Sequence, residues 1–169
     1  YRLILRQDNA DVRLMPIGYK IGLLPKERYE KMLADEESVK TEIERLEATW
    51  ISPDDKLNSI LENSGSTKVK SGANMAELVK RPELNYEMLK EVDKGRPELS
   101  KKIKEQVEIR LKYDGYIKRQ LAQVESFKKM ENKKLPKDID YTQINGLRLE
   151  ARQKLNDIRP ISVGQASRI

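Results

Sequence analysis

The chain has 169 residues, no cysteine and no histidine, and its charged and apolar fractions are both 37%. Without cysteine, disulfides and thiolate chemistry are excluded; without histidine there is no imidazole base, no Ser-His-Asp arrangement and no histidine metal site, so only carboxylates, lysines and tyrosines remain as catalytic candidates. The net charge of +6 is uneven: Glu98 to Lys137 holds twelve Lys/Arg against six Asp/Glu, whereas Lys26 to Trp50 holds five against eight. One acidic and one basic helix are predicted, and a polyanion such as RNA would favour the second.

The nine aromatics, mostly tyrosine, suit helices with a narrow buried stripe rather than a sandwich or barrel. No apolar run approaches the roughly 20 residues that span a bilayer, and the first residues lack a signal-peptide pattern, which reads as a cytoplasmic chain with no membrane partner.

In chain order, Asp8, Asn9 and Asp11 offer capping chemistry ahead of Val12, Leu14, Ile17 and Ile21, which are spaced for a helix that Gly22 can end. After Pro25, at a first helical position, Tyr29, Met32, Val39, Ile43, Leu46 and Trp50 recur at three-four spacing, broken only by Glu36. Ser52-Pro53-Asp54-Asp55 reads as a helix start with Ser52 as cap, leading through Leu57, Ile60 and Leu61. Residues 63–72, rich in serine, glycine and lysine, read as a mobile loop. Short helices are predicted over Met75–Lys80 and Tyr86–Val92.

A long helix is predicted over 98–134, with Ile103, Val107, Leu111, Ile117, Leu121, Val124 and Met130 apolar and no proline between. Gly115 inside it costs about 1 kcal/mol relative to alanine and suggests a close approach by a backbone or ligand. Asp140 caps a brief helix that stops at Gly146, Leu149 to Ile158 forms another, and Ser162 can cap a last one. The expected fold is all-α, a helical hairpin or bundle with two long antiparallel helices and several short ones. Its core should centre on Val39, Ile43, Leu46, Ile103, Val107, Leu121 and Val124. The expected division is a junction segment and first helix over 1–24, a first helical subdomain over 25–97, and the long basic helix with a C-terminal helical subdomain over 98–169.

Four ordered stretches carry a family resemblance. They are Tyr1 to Leu14; Arg81-Pro82-Glu83 with Tyr86 and Leu89; Gln106-Val107-Glu108-Ile109 through Lys112-Tyr113-Asp114-Gly115-Tyr116-Ile117 to Arg119-Gln120; and Asp140-Tyr141, Gly146-Leu147, Lys154-Leu155, Arg159-Pro160 and Gly164 to Ile169. Together they resemble the C-terminal helical domain of the glucose-inhibited division protein A family (GidA, or MnmG). Arg148 departs from the family's serine after Gly-Leu, so the helix there loses its expected cap.

The resemblance implies a domain of a homodimeric flavoprotein that, with the GTPase MnmE, modifies C5 of the wobble uridine of tRNA. FAD and NADH would bind in the parent enzyme's flavin domain, which this chain lacks; no G-x-G-x-x-G fingerprint occurs here. The chain alone is expected to be catalytically silent. The resemblance also implies a further helix after Ile169, on which MnmE docking would depend.

Family pattern and chemistry point to two cationic groups for tRNA. Arg2, Arg6 and Arg13 lie near the junction, where guanidinium forks could hold phosphates, or could pair with Asp8 or Asp11 and orient the first helix. Lys112, Lys118 and Arg119 flank Tyr113 and Tyr116, whose rings could stack on bases or be buried against a neighbouring helix. The lysines at 128, 129, 133 and 134 read as a solvated end, and Glu42, Glu44 and Glu47, whose positions do not share one face, as part of an acidic solvated helix rather than a metal site. Gln165 and Arg168 are candidates for partner or tRNA contact, or for capping and packing the last turn. A helical protein-binding scaffold without RNA binding is the competing class.

Overall fold

The computed structural model describes residues 2–169, so Tyr1, which heads the first family stretch, lies outside the described residues. The chain folds as two compact units, Tyr1–Ile117 and Lys118–Ile169. The protein is mostly helical. Its helices are α1 (Ala10–Lys20), α2 (Lys26–Ala48), α3 (Asp55–Asn63), α4 (Met75–Val79), α5 (Lys101–Asn132), α6 (Leu149–Ile158) and α7 (Val163–Ala166). Helix α5 supplies residues to both units.

In the first unit, the α2 stripe buries Met32, Val39 and Leu46. Val39 and Leu46 join Leu57 and Leu61 of α3, α4, Leu84, Tyr86, Leu89 and the α5 residues Ile103, Val107 and Leu111 in one core, with Ile43 packed at its edge. Glu36, the break in the stripe, is answered from α5: both its oxygens accept from the Arg110 guanidinium, at 2.6 and 2.5 Å.

The predicted core is correct for Val39, Leu46, Ile103 and Val107, with Ile43 at its edge, and wrong for Leu121 and Val124. Leu121 is 47% exposed and Val124 is half-buried. The apolar spacing continues along α5, yet burial follows only where the first unit supplies partners; spacing marks a face, not what covers it. Outside its own helix, no described residue comes within 4 Å of where a Cβ would stand on Gly115.

Trp50 is not the end of the α2 stripe. The chain turns extended at Thr49, and Trp50–Ile51 (β1) pairs antiparallel with Ala73–Asn74 (β2), leaving Trp50 70% exposed. Asp54, rather than Ser52, caps α3 by accepting from the Leu57 amide at 2.7 Å. Pro25 is the residue before α2 instead of its first turn. The predicted helix over Tyr86–Val92 is a run of turns, although Asn85 does accept from the Met88 amide, at 2.9 Å; its backbone bonds reach three residues back, from the Lys90 amide to the Glu87 carbonyl and from the Val92 amide to the Leu89 carbonyl.

The loop over 63–72 is tied down. Arg81 donates to Ser66 Oγ and to the Thr67 carbonyl, the Val69 amide donates to Asn58 Oδ1, and Val69 packs against the core.

In the second unit, the brief helix after Asp140 is a 3-10 turn, Tyr141–Gln143, ended near Gly146 at φ +92°. Helix α6 matches its predicted bounds and, as the Arg148 departure implied, its first turn receives no side-chain cap. Ser162 caps α7, accepting from the Gln165 amide at 3.1 Å.

Candidate nucleic-acid and partner interface

The residues before α1 are organised by side chains rather than by regular structure. Arg6 donates from Nε and Nη2 to the two Asp8 oxygens, at 2.9 Å each, and from Nη1 to the Leu3 carbonyl at 2.6 Å. This fork holds the Asp8 carboxyl below its ordinary range and raises Arg6, despite the opposing effect of burial. Asn9 donates to the Ile4 carbonyl and accepts from Arg13 Nε, while Arg13 Nη2 reaches the Arg6 carbonyl. Asn9 therefore staples the junction and does not cap α1. Asp11 faces Lys102, at 3.8 Å.

The Arg6 guanidinium also lies 5.1 Å from the centre of the Tyr113 ring on α5. The two candidate groups thus meet: Arg6, Arg13 and Tyr113 form one assembly. Tyr113 and Tyr116 tilt toward each other at 6.3 Å and both are exposed, so the alternative of burial against a neighbouring helix is wrong for them. Lys112 is committed within the unit, donating to the Leu84 carbonyl at 2.6 Å and pairing with Glu108 at 2.9 Å. Arg2 is exposed. In the second unit Lys118 and Arg119 are exposed on α5.

The acidic face of α2 is not uniformly solvated. Glu42 is 2% exposed and both its oxygens accept from Arg45, which also forks onto Asp93 at 2.9 and 2.6 Å. The Tyr86 hydroxyl donates to Glu42 at 2.6 Å, and burial with that carboxylate raises the phenol well above its usual range. The two carboxylates raise Arg45. Glu42 and Arg45 are three apart on one helix face, the only sequence-level hint; Asp93 lies 48 residues on.

At the other end, Glu131 on α5 gathers the last turn. It pairs with Arg168 and accepts from Ser162 Oγ at 3.1 Å, which lowers its carboxyl. Gln165 Oε1 accepts from the Ile161 amide at 2.9 Å. Both candidate residues are therefore used in capping and packing α7. Gly164 makes this possible: a Cβ there would stand 2.7 Å from the Glu131 side chain and 2.9 Å from its backbone nitrogen.

Charge divides sharply between the units. Residues 118–169 hold twelve Lys/Arg against six Asp/Glu, and residues 1–117 hold twenty-two of each, so the second unit carries the whole excess of +6.

A mostly helical chain with a charge-balanced first unit and a basic second unit belongs to the class of helical domains. The chain is a member of the MnmG/GidA family: residues 26–121 match the tRNA modifying enzyme MnmG/GidA C-terminal helical domain, and residues 123–169 match its C-terminal helical bundle. It is 59% identical over 169 residues to the tRNA uridine 5-carboxymethylaminomethyl modification enzyme MnmG of Caldicellulosiruptor saccharolyticus and 55% identical to that of Clostridium kluyveri, covering 100% of this chain and 27% of each relative. Among solved structures, it is similar to Aquifex aeolicus GidA in the form II crystal, with a TM-score of 0.60 and 36% identity over 97% of this chain and 25% of that one. The chain thus spans about a quarter of the length of the relatives it matches.

Proposed function

We propose that the chain is the C-terminal tRNA- and partner-docking domain of a FAD-dependent enzyme that modifies C5 of the wobble uridine of tRNA together with the GTPase MnmE. The observation that carries the tRNA part is the concentration of the +6 excess in residues 118–169, since neutralising phosphates is what gives nucleic-acid affinity. Arg2, Lys118 and Arg119 are the exposed cations best placed to meet phosphate. Arg6 and Arg13 build the junction and act on RNA through its shape, with Tyr113 presented beside Arg6.

FAD and NADH belong to the parent enzyme and do not fit here. The strands among the described residues are two residues long and no glycine-rich turn leads from either into a helix, so the pyrophosphate cradle is absent. The parent enzyme is cytoplasmic and homodimeric under this proposal. No helix among the described residues is long and apolar enough to cross a membrane. The exposed apolar residues Leu14 and Ile17 of α1 and Ile21 just after it favour a protein surface there, such as the flavin domain of the parent enzyme.

The test is binding of the chain to a wobble-uridine tRNA across a salt series. The logarithm of the affinity should fall linearly with log salt, and Arg119→Ala should reduce that slope by about one. Absence of binding at low salt would overturn the RNA role and leave the helical protein-binding scaffold.

A further inference from the structure

The second unit contains a groove of about 750 Å³ lined by Lys134, Leu135, Pro136, Lys137, Ile139, Tyr141, Arg159, Pro160 and Ile161. Its two walls are the segment leaving α5 and the segment following α6. They are joined by an antiparallel bridge between Lys134 and Ser162 and by hydrogen bonds from the Leu135 amide to the Ile161 carbonyl and from the Val163 amide to the Lys133 carbonyl. Arg159 turns the chain into the second wall in the left-handed conformation, at φ +49°, with its Nε and Nη1 donating to the Asn156 and Ile139 carbonyls. The groove is therefore built by the backbone before any ligand arrives, which lowers the ordering cost of binding.

Two features define what fits. The floor is apolar, with Pro160 and Tyr141 buried and Ile161 63% exposed. The rim is cationic, and no carboxylate lines it: Lys134 and Lys137 make no salt bridge among the described residues, while Glu131 and Asp140, which feel Lys134 and Arg159 through space, are hydrogen-bonded to Arg168 and Ser162 and to Thr142 and Gln143 respectively. We propose that this groove docks an acidic amphipathic segment of another protein, its apolar side chains on Leu135, Ile139 and Ile161 and its carboxylates against Lys134, Lys137 and Arg159. A nucleic acid strand suits it less: phosphates gain nothing from an apolar floor, and Tyr141, at 4% exposed, offers no open ring for stacking. The site rests on the partner-docking part of the proposed function, and its cations Lys134, Lys137 and Arg159 also belong to the basic unit behind the tRNA reading, so the peptide and oligouridine probes separate the two.

The test uses the full chain and fluorescence anisotropy with a labelled helical peptide of ~15 residues carrying leucines on one face and glutamates on the other. Matched probes have lysine for glutamate, serine for leucine, or are a short oligouridine. The acidic amphipathic peptide should bind, and both altered peptides should fail. Affinity should fall about tenfold in Ile161→Asp and in Lys137→Glu and hold in Lys129→Glu, which makes the same charge change outside the groove; thermal melts of each variant show whether the fold survives. No peptide binding, or binding indifferent to both groove substitutions, overturns the proposal. Oligouridine binding that Lys137→Glu abolishes, without peptide binding, overturns it in favour of a nucleic-acid site.

Discussion

The two units are stabilised by different means. Residues 1–117 balance their charges and bury a continuous apolar core, with a satisfied ionic cluster of Glu42, Arg45, Asp93 and Tyr86 beside it. Residues 118–169 bury little beyond Tyr141, Leu155, Pro160, Ser162 and Gly164, and depend on caps, one bridge and the Glu131 hub. The lesson is a division of labour: the neutral unit has the apolar area to fold around, and the basic one spends its surface on cations that a large core would have displaced.

The sharpest way to break that comparison is to empty the first core. Leu46→Ala, at a fully buried position, should cost about 2–5 kcal/mol in chemical denaturation. A cost under about 1 kcal/mol would deny that this core holds the unit. Close behind comes Asp93→Ala, which leaves the Arg45 fork half unpaired; it should cost about 3 kcal/mol by the same measurement. In the second unit, Gly164→Ala should cost about 1–3 kcal/mol by forcing Glu131 aside, read as faster amide exchange over residues 162–168 with the first core still protected.

Smaller effects sharpen the contrast. Arg148→Ser gives α6 the cap it lacks and should stabilise it by about 1 kcal/mol, visible in amide exchange of residues 149–153. The smallest concerns the junction. Because Arg6 holds the Asp8 carboxyl below its ordinary 3.8, the unfolded chain binds more protons there than the folded one, so the pair's contribution is complete above that value and lost as pH falls through the lowered one. Asp8→Asn should remove this acid-dependent part, below about 1 kcal/mol, from melts taken through the acid range.

Much of this is legible in the sequence alone. Helix bounds followed periodicity and capping chemistry, most closely for α6 and for α7 with Ser162 as its cap, because these signals act within a few residues of themselves. The Arg6–Asp8 pairing was open as an alternative for the same reason, the partners being two apart. Glu42 was misread as solvated, since its burial depends on Tyr86 and Asp93 from distant turns.

The groove was missed for a related reason: Lys134 and Arg159 read as unremarkable cations until the bridge at Ser162 brought their segments together.

By itself, then, the sequence determined the helical class, the family and the basic character of the C-terminal half, because composition, period and motif are local properties. Tertiary structure alone decided that burial along α5 stops after Leu111, that Trp50 joins a strand, that Arg6 sits on Tyr113, and that an apolar groove lies among cations. Each of those depends on which distant segment arrives to cover or flank a residue, and no local pattern encodes that arrival.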